Sequence, residues 1–118
     1  LPPLWQVFGG YRDGGTWMLP ELRVELASPD AALHIGPQFV LLETSAAAEA
    51  AALAGTDAMH GVATHVMFLA RGKVGPFRVE SEAFRGSGNT VATRSQIFDL
   101  GADARLITTA THVFALQT

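Results

Sequence analysis

The hydrophobic and polar positions change period along the chain, and each change marks a boundary between elements. Residues 21–27 alternate, with Leu22, Val24 and Leu26 on one side and Glu21, Arg23 and Glu25 on the other. That alternation predicts a half-buried strand. Ser28-Pro29-Asp30 interrupts it. Over 37–54 the pattern becomes a run of strong helix formers, FVLLETSAAAEAAALA, with Pro37 suited to the first turn and Gly55 to the stop. Glu43 and Glu49 are the only charges of this helix. A helix so apolar belongs inside the fold, with sheet or a partner subunit over most of it.

After Gly55 the period returns to two. Residues 62–70 are rich in strand formers, and 76–84 alternate Phe77, Val79, Ser81 and Ala83 against Arg78, Glu80 and Glu82. A turn is predicted at 85–89, a strand at 90–100, a second turn at 101–103 and a closing strand at 105–116. The first twenty residues hold three of the six prolines and four of the twelve glycines. They read as a lead-in or linker with at most a turn of helix near residues 5–8, its aromatics packing on something. The predicted order is β-α-β-β-β-β, an α+β domain over 21–118 in which an antiparallel sheet wraps around one long central helix. A doubly wound α/β protein would need alternating helices and a glycine-rich βα turn, and neither is present.

Composition narrows the function. At 118 residues the chain is one domain's worth, large enough to bury a core without disulfide or metal staples. With no cysteine it has no disulfide scaffold, thiolate zinc site or cysteine nucleophile. A net charge of −3 argues against a nucleic-acid partner. No uncharged apolar run is long enough to span a membrane, and no basic segment precedes an apolar stretch as in a signal peptide. A cytoplasmic location is therefore expected. A chain that opens on Leu1 instead of Met is expected to be trimmed or a piece of something longer.

Glu43 is the first candidate for chemistry. It falls about two turns into an apolar helix, where desolvation would favour its neutral form and make it a usable base or nucleophile. Just before it, His34-Ile35-Gly36-Pro37 places backbone N–H groups at the helix N-terminus, where they can stabilise a developing oxyanion. The plainer alternative puts Glu43 on the one wet stripe of the helix, as Glu49 could be. His60, His65 and His112 lack metal-ligand spacing, so no metal is expected, and His65 and His112 read as structural or lining residues.

The nine-residue spacing of His34 and Glu43 resembles the HotDog-fold acyl-CoA thioesterases, especially the phenylacetate-pathway and 4-hydroxybenzoyl-CoA branch. In that family a His-Gly-Gly signature opens a long helix and a catalytic Asp or Glu follows nine residues after the His. Gly36 stands at the second glycine and Ile35 replaces the first. THVMFLARGKVG (64–75) resembles the strand that ends in Phe-Leu-Arg-Pro and a glycine turn, and 82–114 resembles the closing hairpins. The similarity covers roughly residues 21–116.

The resemblance implies a thioesterase in which Glu43 is the base or nucleophile, the Ile35 N–H the oxyanion donor and His34 the motif histidine, with Gly36 beside them. It implies an acyl-CoA or acyl-carrier substrate, coenzyme A entering only as part of that substrate, and no separate cofactor. Phe68, Arg71, Lys73, Arg85 and Arg94 are then candidates to contact substrate, the cations meeting coenzyme A phosphates. The family also implies a homodimer or homotetramer with the site between subunits. Two departures support an alternative: Ile35 replaces a glycine, and Pro37 has no N–H. The alternative is a non-catalytic acyl-CoA-binding or assembly HotDog domain, half of a tandem protein. A HotDog hydratase is a third reading, for which His34 has no acidic partner beyond Asp30.

Overall fold

The computed structural model describes residues 2–86 and 88–117. Leu1, Ser87 and Thr118, which fall in the expected lead-in, the 85–89 turn and the C-terminal end, lie outside the described residues. A short helix α1 (Leu4–Val7) precedes strands β1 (Tyr11–Asp13) and β2 (Thr16–Leu19). A 3₁₀ turn (Val24–Leu26) leads to the long helix α2 (Ile35–Ala54). Four strands follow: β3 (Met59–Phe68), β4 (Phe77–Arg85), β5 (Thr90–Asp99) and β6 (Arg105–Leu116). All six strands form one antiparallel sheet in the order β1-β2-β4-β5-β6-β3. No described helix is long and apolar enough to cross a membrane.

The helix begins and ends where its residue types dictate. His34 caps its start, and Gly55 closes it in the left-handed conformation at φ +75°, its N–H returning to the Ala51 carbonyl. Gln38, Leu41, Leu42, Ser45, Ala46 and Ala50 are buried at three- and four-residue intervals, which sets one face of α2 on the sheet, chiefly on β4 and β5. Leu41 and Leu42 join Leu19, Phe77, Val79, Ile97 and Ile107 in the main core. Ala46 and Ala50 pack with Val91 and Phe114 toward the C-terminal end of the helix. The sheet thus covers one face of α2 and leaves Ile35, Phe39, Glu43 and Leu53 exposed.

Polar groups tie helix to sheet inside this apolar layer. The Ser45 and Ser81 hydroxyls lie 2.6 Å apart, and Ser81 and Ser95 continue the chain at 2.7 Å. Seven residues before Ser45, Gln38 accepts from the Thr108 hydroxyl and donates to the Leu33 carbonyl at 3.0 Å. At the end of β5 the fully buried Asp99 accepts the N–H groups of Lys73, Val74 and Gly75 at 3.1, 3.1 and 2.8 Å. Those three bonds hold the β3–β4 loop against the core. Gly72 makes that approach possible, since a Cβ there would stand 2.7 Å from Phe77 and 2.8 Å from Ile107.

Two expectations need correction. Residues 21–27 carry a 3₁₀ turn at Val24–Leu26 and no strand, since β2 already pairs with Phe77–Val79 of β4. Trp17 and Leu19 of β2 are buried there, whereas Val24 is 86% exposed and Leu26 buried, so the alternating positions of 21–27 share no single buried face. The first twenty residues contribute more than a helical turn, since β1 and β2 extend the sheet. Their aromatics do pack: Trp5 meets Trp17 edge-on at 4.7 Å between ring centroids.

Replacing Asp99 by Ala orphans three N–H groups and should cost about 3 kcal/mol in urea unfolding. Val24→Asp should change stability by less than about 0.5 kcal/mol. A larger loss would mean that Val24 is buried after all.

Candidate functional site

The N-terminus of α2 is held by the loop ahead of it. The His34 N–H donates to the Leu26 carbonyl and the Leu33 N–H to the Gly72 carbonyl, both at 2.8 Å. His34 is extended at φ −65° and ψ 152°, and its Nδ1 accepts the Gly36 N–H at 3.2 Å. Ile35 is therefore the first helical residue, and Pro37, which has no N–H, occupies the third position of the first turn. A cavity of about 290 Å³ opens here, lined by His34, Ile35, Gln38, Phe68 and Arg71 among others. Phe68 leans edge-on against Phe39 of α2 at 6.0 Å, and Arg71 pairs with Asp30.

Glu43 lies further along the same flank, exposed on the protomer, which agrees with the wet-stripe alternative and not with an enclosed carboxylate. Eight residues separate it from Ile35, roughly 12 Å along the helix axis. One carbonyl cannot touch both groups of a single protomer across that distance. Glu43 sits between two cavities. One, of about 460 Å³, is shared with Trp5 and Leu4 of the N-terminal segment, and the other, of about 410 Å³, with Thr64 of β3 and His112 of β6.

His112, expected as a structural or lining residue, is the titratable neighbour of Glu43 across the second cavity. It is 4% exposed, its Nδ1 has no hydrogen-bond partner, and its ring stacks on Phe114. Burial pushes its pKa below the ordinary 6.5, against the opposing pull of the Glu43 carboxylate. Only the strand register reveals this inward orientation, because His112 pairs with Thr93 and Thr64 on a face the sequence alone does not assign.

The other expected cations are spread over the protomer. Lys73 is exposed in the loop whose backbone Asp99 holds. Arg85 reaches the Leu53 carbonyl at 3.4 Å, near the far end of α2. Arg94 pairs with Glu82 and lines a separate cavity of about 420 Å³ with Glu80 and Gln96. Phe68 and Arg71 are thus the expected substrate contacts that share a cavity with His34 and Ile35. Among the described residues no three His, Asp or Glu side chains cluster as a metal site would require.

No protein family and no curated protein matches the sequence. Solved structures do match its shape. A thioesterase enzyme from Staphylococcus aureus superposes with a TM-score of 0.76 at 17% identity, over 98% of each chain. With the long helix lying across a six-stranded antiparallel sheet, that agreement settles the architecture. The fold is the HotDog fold. A HotDog likeness of the same order links the chain to a phenylacetic acid degradation-related protein from Ralstonia eutropha. There the TM-score is 0.77 and the identity 17%, over 98% of this chain and 91% of that one. It extends also to a Bacillus halodurans protein solved with CoA, with a TM-score of 0.76 and 13% identity, over 95% of this chain and 74% of that one.

The lowered pKa of His112 has a consequence for stability. Between its folded value and the ordinary 6.5 the unfolded chain binds more protons, so the contribution of His112 is intact above 6.5 and shrinks as pH falls. Urea unfolding at about pH 7.5 and about pH 5.5 should show a larger loss on acidification for wild type than for His112→Gln.

Proposed function

We propose that this chain is a thioesterase that hydrolyses an acyl-CoA or acyl-carrier thioester, with Glu43 acting as general base on water. The observation that carries this reading is the shared flank of α2. The N-terminal N–H groups at Ile35 and the carboxylate of Glu43 lie on one exposed stripe of a helix whose other face is buried. The HotDog architecture and the thioesterase and CoA-bound structures that share it support the same chemistry. In the proposed step the Ile35 N–H receives the thioester oxygen. Glu43 takes a proton from water, the water oxygen bonds to the carbonyl carbon, and the C–S bond breaks to release a thiolate that is then protonated.

The separation of Ile35 from Glu43 favours a site built between two copies, in which one protomer supplies the helix N-terminus and its partner the carboxylate. β3 supports such pairing. It is a ten-residue edge strand, bonded on one side to β6 and exposed over most of its length. A homodimer is the smallest assembly that completes this site, and a homotetramer would contain two such pairs. Phe68 and Arg71 would then contact the substrate beside His34.

One observation favours the second reading, a non-catalytic acyl-CoA-binding or assembly domain. The Gly36 N–H is already taken by His34 and Pro37 has none, so few donors remain for an oxyanion.

A hydrolysis panel of acyl-CoA thioesters of graded chain length separates the two readings. Turnover by wild type, with a loss on the order of 10³-fold in Glu43→Gln and an unchanged circular dichroism spectrum, is the expected result. Tight calorimetric binding of acyl-CoA without turnover would establish the binding domain instead. Light scattering at micromolar concentration should give at least a dimer, and a monomer would remove the shared site.

A further inference from the structure

The inner row of β6 runs Ala110, His112 and Phe114, all buried beneath or beside α2. His112 is the ionisable member of that row. Its neighbours can be placed element by element. From β3 the register sets Thr64 beside it, and from β5 Thr93, neither of which titrates. His65 is one residue along β3 and so faces the other side of the sheet. On β6 itself Phe114 stacks over the ring at 6.0 Å with planes 13° apart. From α2 the charged group that acts on it is Glu43, across the cavity of about 410 Å³ that both residues line.

The polar atoms at this spot are unusual for a core. The His112 Nδ1 and the Thr93 Oγ1 are both buried without a hydrogen-bond partner, on directly paired residues. A buried polar atom left unpaired is costly, so two on directly paired residues mark a place where the row serves more than packing. An apolar residue would fill the row more cheaply, as Val91 and Phe114 do one pair further on.

We propose that His112 is a positioning residue for Glu43, an imidazole set in the sheet that governs whether the carboxylate across the cavity is available as a base. Neutral His112 leaves Glu43 ready to accept a proton from water. Protonated His112 pairs electrostatically with the carboxylate and withdraws it from use. The role rests on the thioesterase reading given above, while the coupling between the two groups does not.

Two measurements test the proposal. The first needs no substrate: histidine Cε1 resonances are titrated by NMR in wild type and in Glu43→Gln, whose exposed substitution leaves the core intact. The His112 midpoint should fall further below 6.5 when the Glu43 charge is removed, since that charge raises it. An unchanged midpoint overturns the proposal. The second is the pH profile of kcat for thioester hydrolysis by wild type and His112→Gln. Wild-type activity should decline as pH falls through the His112 midpoint found by NMR. In the variant that limb should move away, with KM nearly unchanged. A variant profile that superimposes on wild type overturns the positioning role even if the coupling is real. A wild type inert toward every thioester overturns the hydrolytic reading and the positioning role together. The NMR titration then shows that failure to be distinct from a lack of coupling.

Discussion

The rotation of α2 about its own axis decides what the rest of the molecule can do, and a pair of buried polar contacts sets it. The helix is apolar around most of its circumference, so burial alone would accept several faces against the sheet. Gln38 and Ser45 remove that freedom. They stand seven residues apart, close to two full turns, so both point the same way. Each meets a fixed hydroxyl below it, Thr108 on β6 and Ser81 on β4. Turning the helix to another face would bury an amide and a hydroxyl without partners, a penalty that no exchange of alanines would offset.

That rotation places everything else on the flank. With Gln38, Leu41, Leu42 and Ser45 facing the sheet, Ile35, Phe39 and Glu43 follow one another along the exposed side. The helix also sits off-centre. It rests on β4 and β5, so the inner face of β6 and β3 is only partly covered and a cavity remains between helix flank and outer strands. A carboxylate on the helix therefore faces an imidazole in the sheet across open space instead of being packed against it. Such spacing lets charge act at a distance while leaving room for a reacting group.

Much of this was legible from residue patterns, and the failures share a cause. The extent of α2 followed from helix formers bounded by a histidine-proline segment and Gly55, which are local signals. The four strands after the helix, and the spacing of His34 and Glu43, were likewise readable within short windows. The short alternating run at 21–27 misled because alternation makes a strand only where a partner edge is in reach, and β2 pairs with the start of β4 instead. The same non-local pairing turned residues 11–19 from lead-in into sheet. For His112 and Arg94 the missing information was register: a residue's face depends on strands pairing many positions away. Glu43 stayed open between an enclosed and a wet position for a related reason, since composition shows how apolar a helix is but not which side its sheet covers.

The two borders of the sheet are unequal, and this limits how copies of the molecule can join. At one border β1 offers three residues, among them Arg12 and Asp13. At the other β3 offers ten, none of them Lys, Arg, Asp or Glu. A strand added along β3 finds a long template, whereas one added along β1 finds almost none. Pairing β3 with the β3 of a second copy consumes the long border of both, and what is left is β1 and the part of β4 beyond Val79. A chain with two borders like β3 could stack without end into a fibre. A pair closed along β3 would consume the long border of both copies and so cover an otherwise unguarded ten-residue strand.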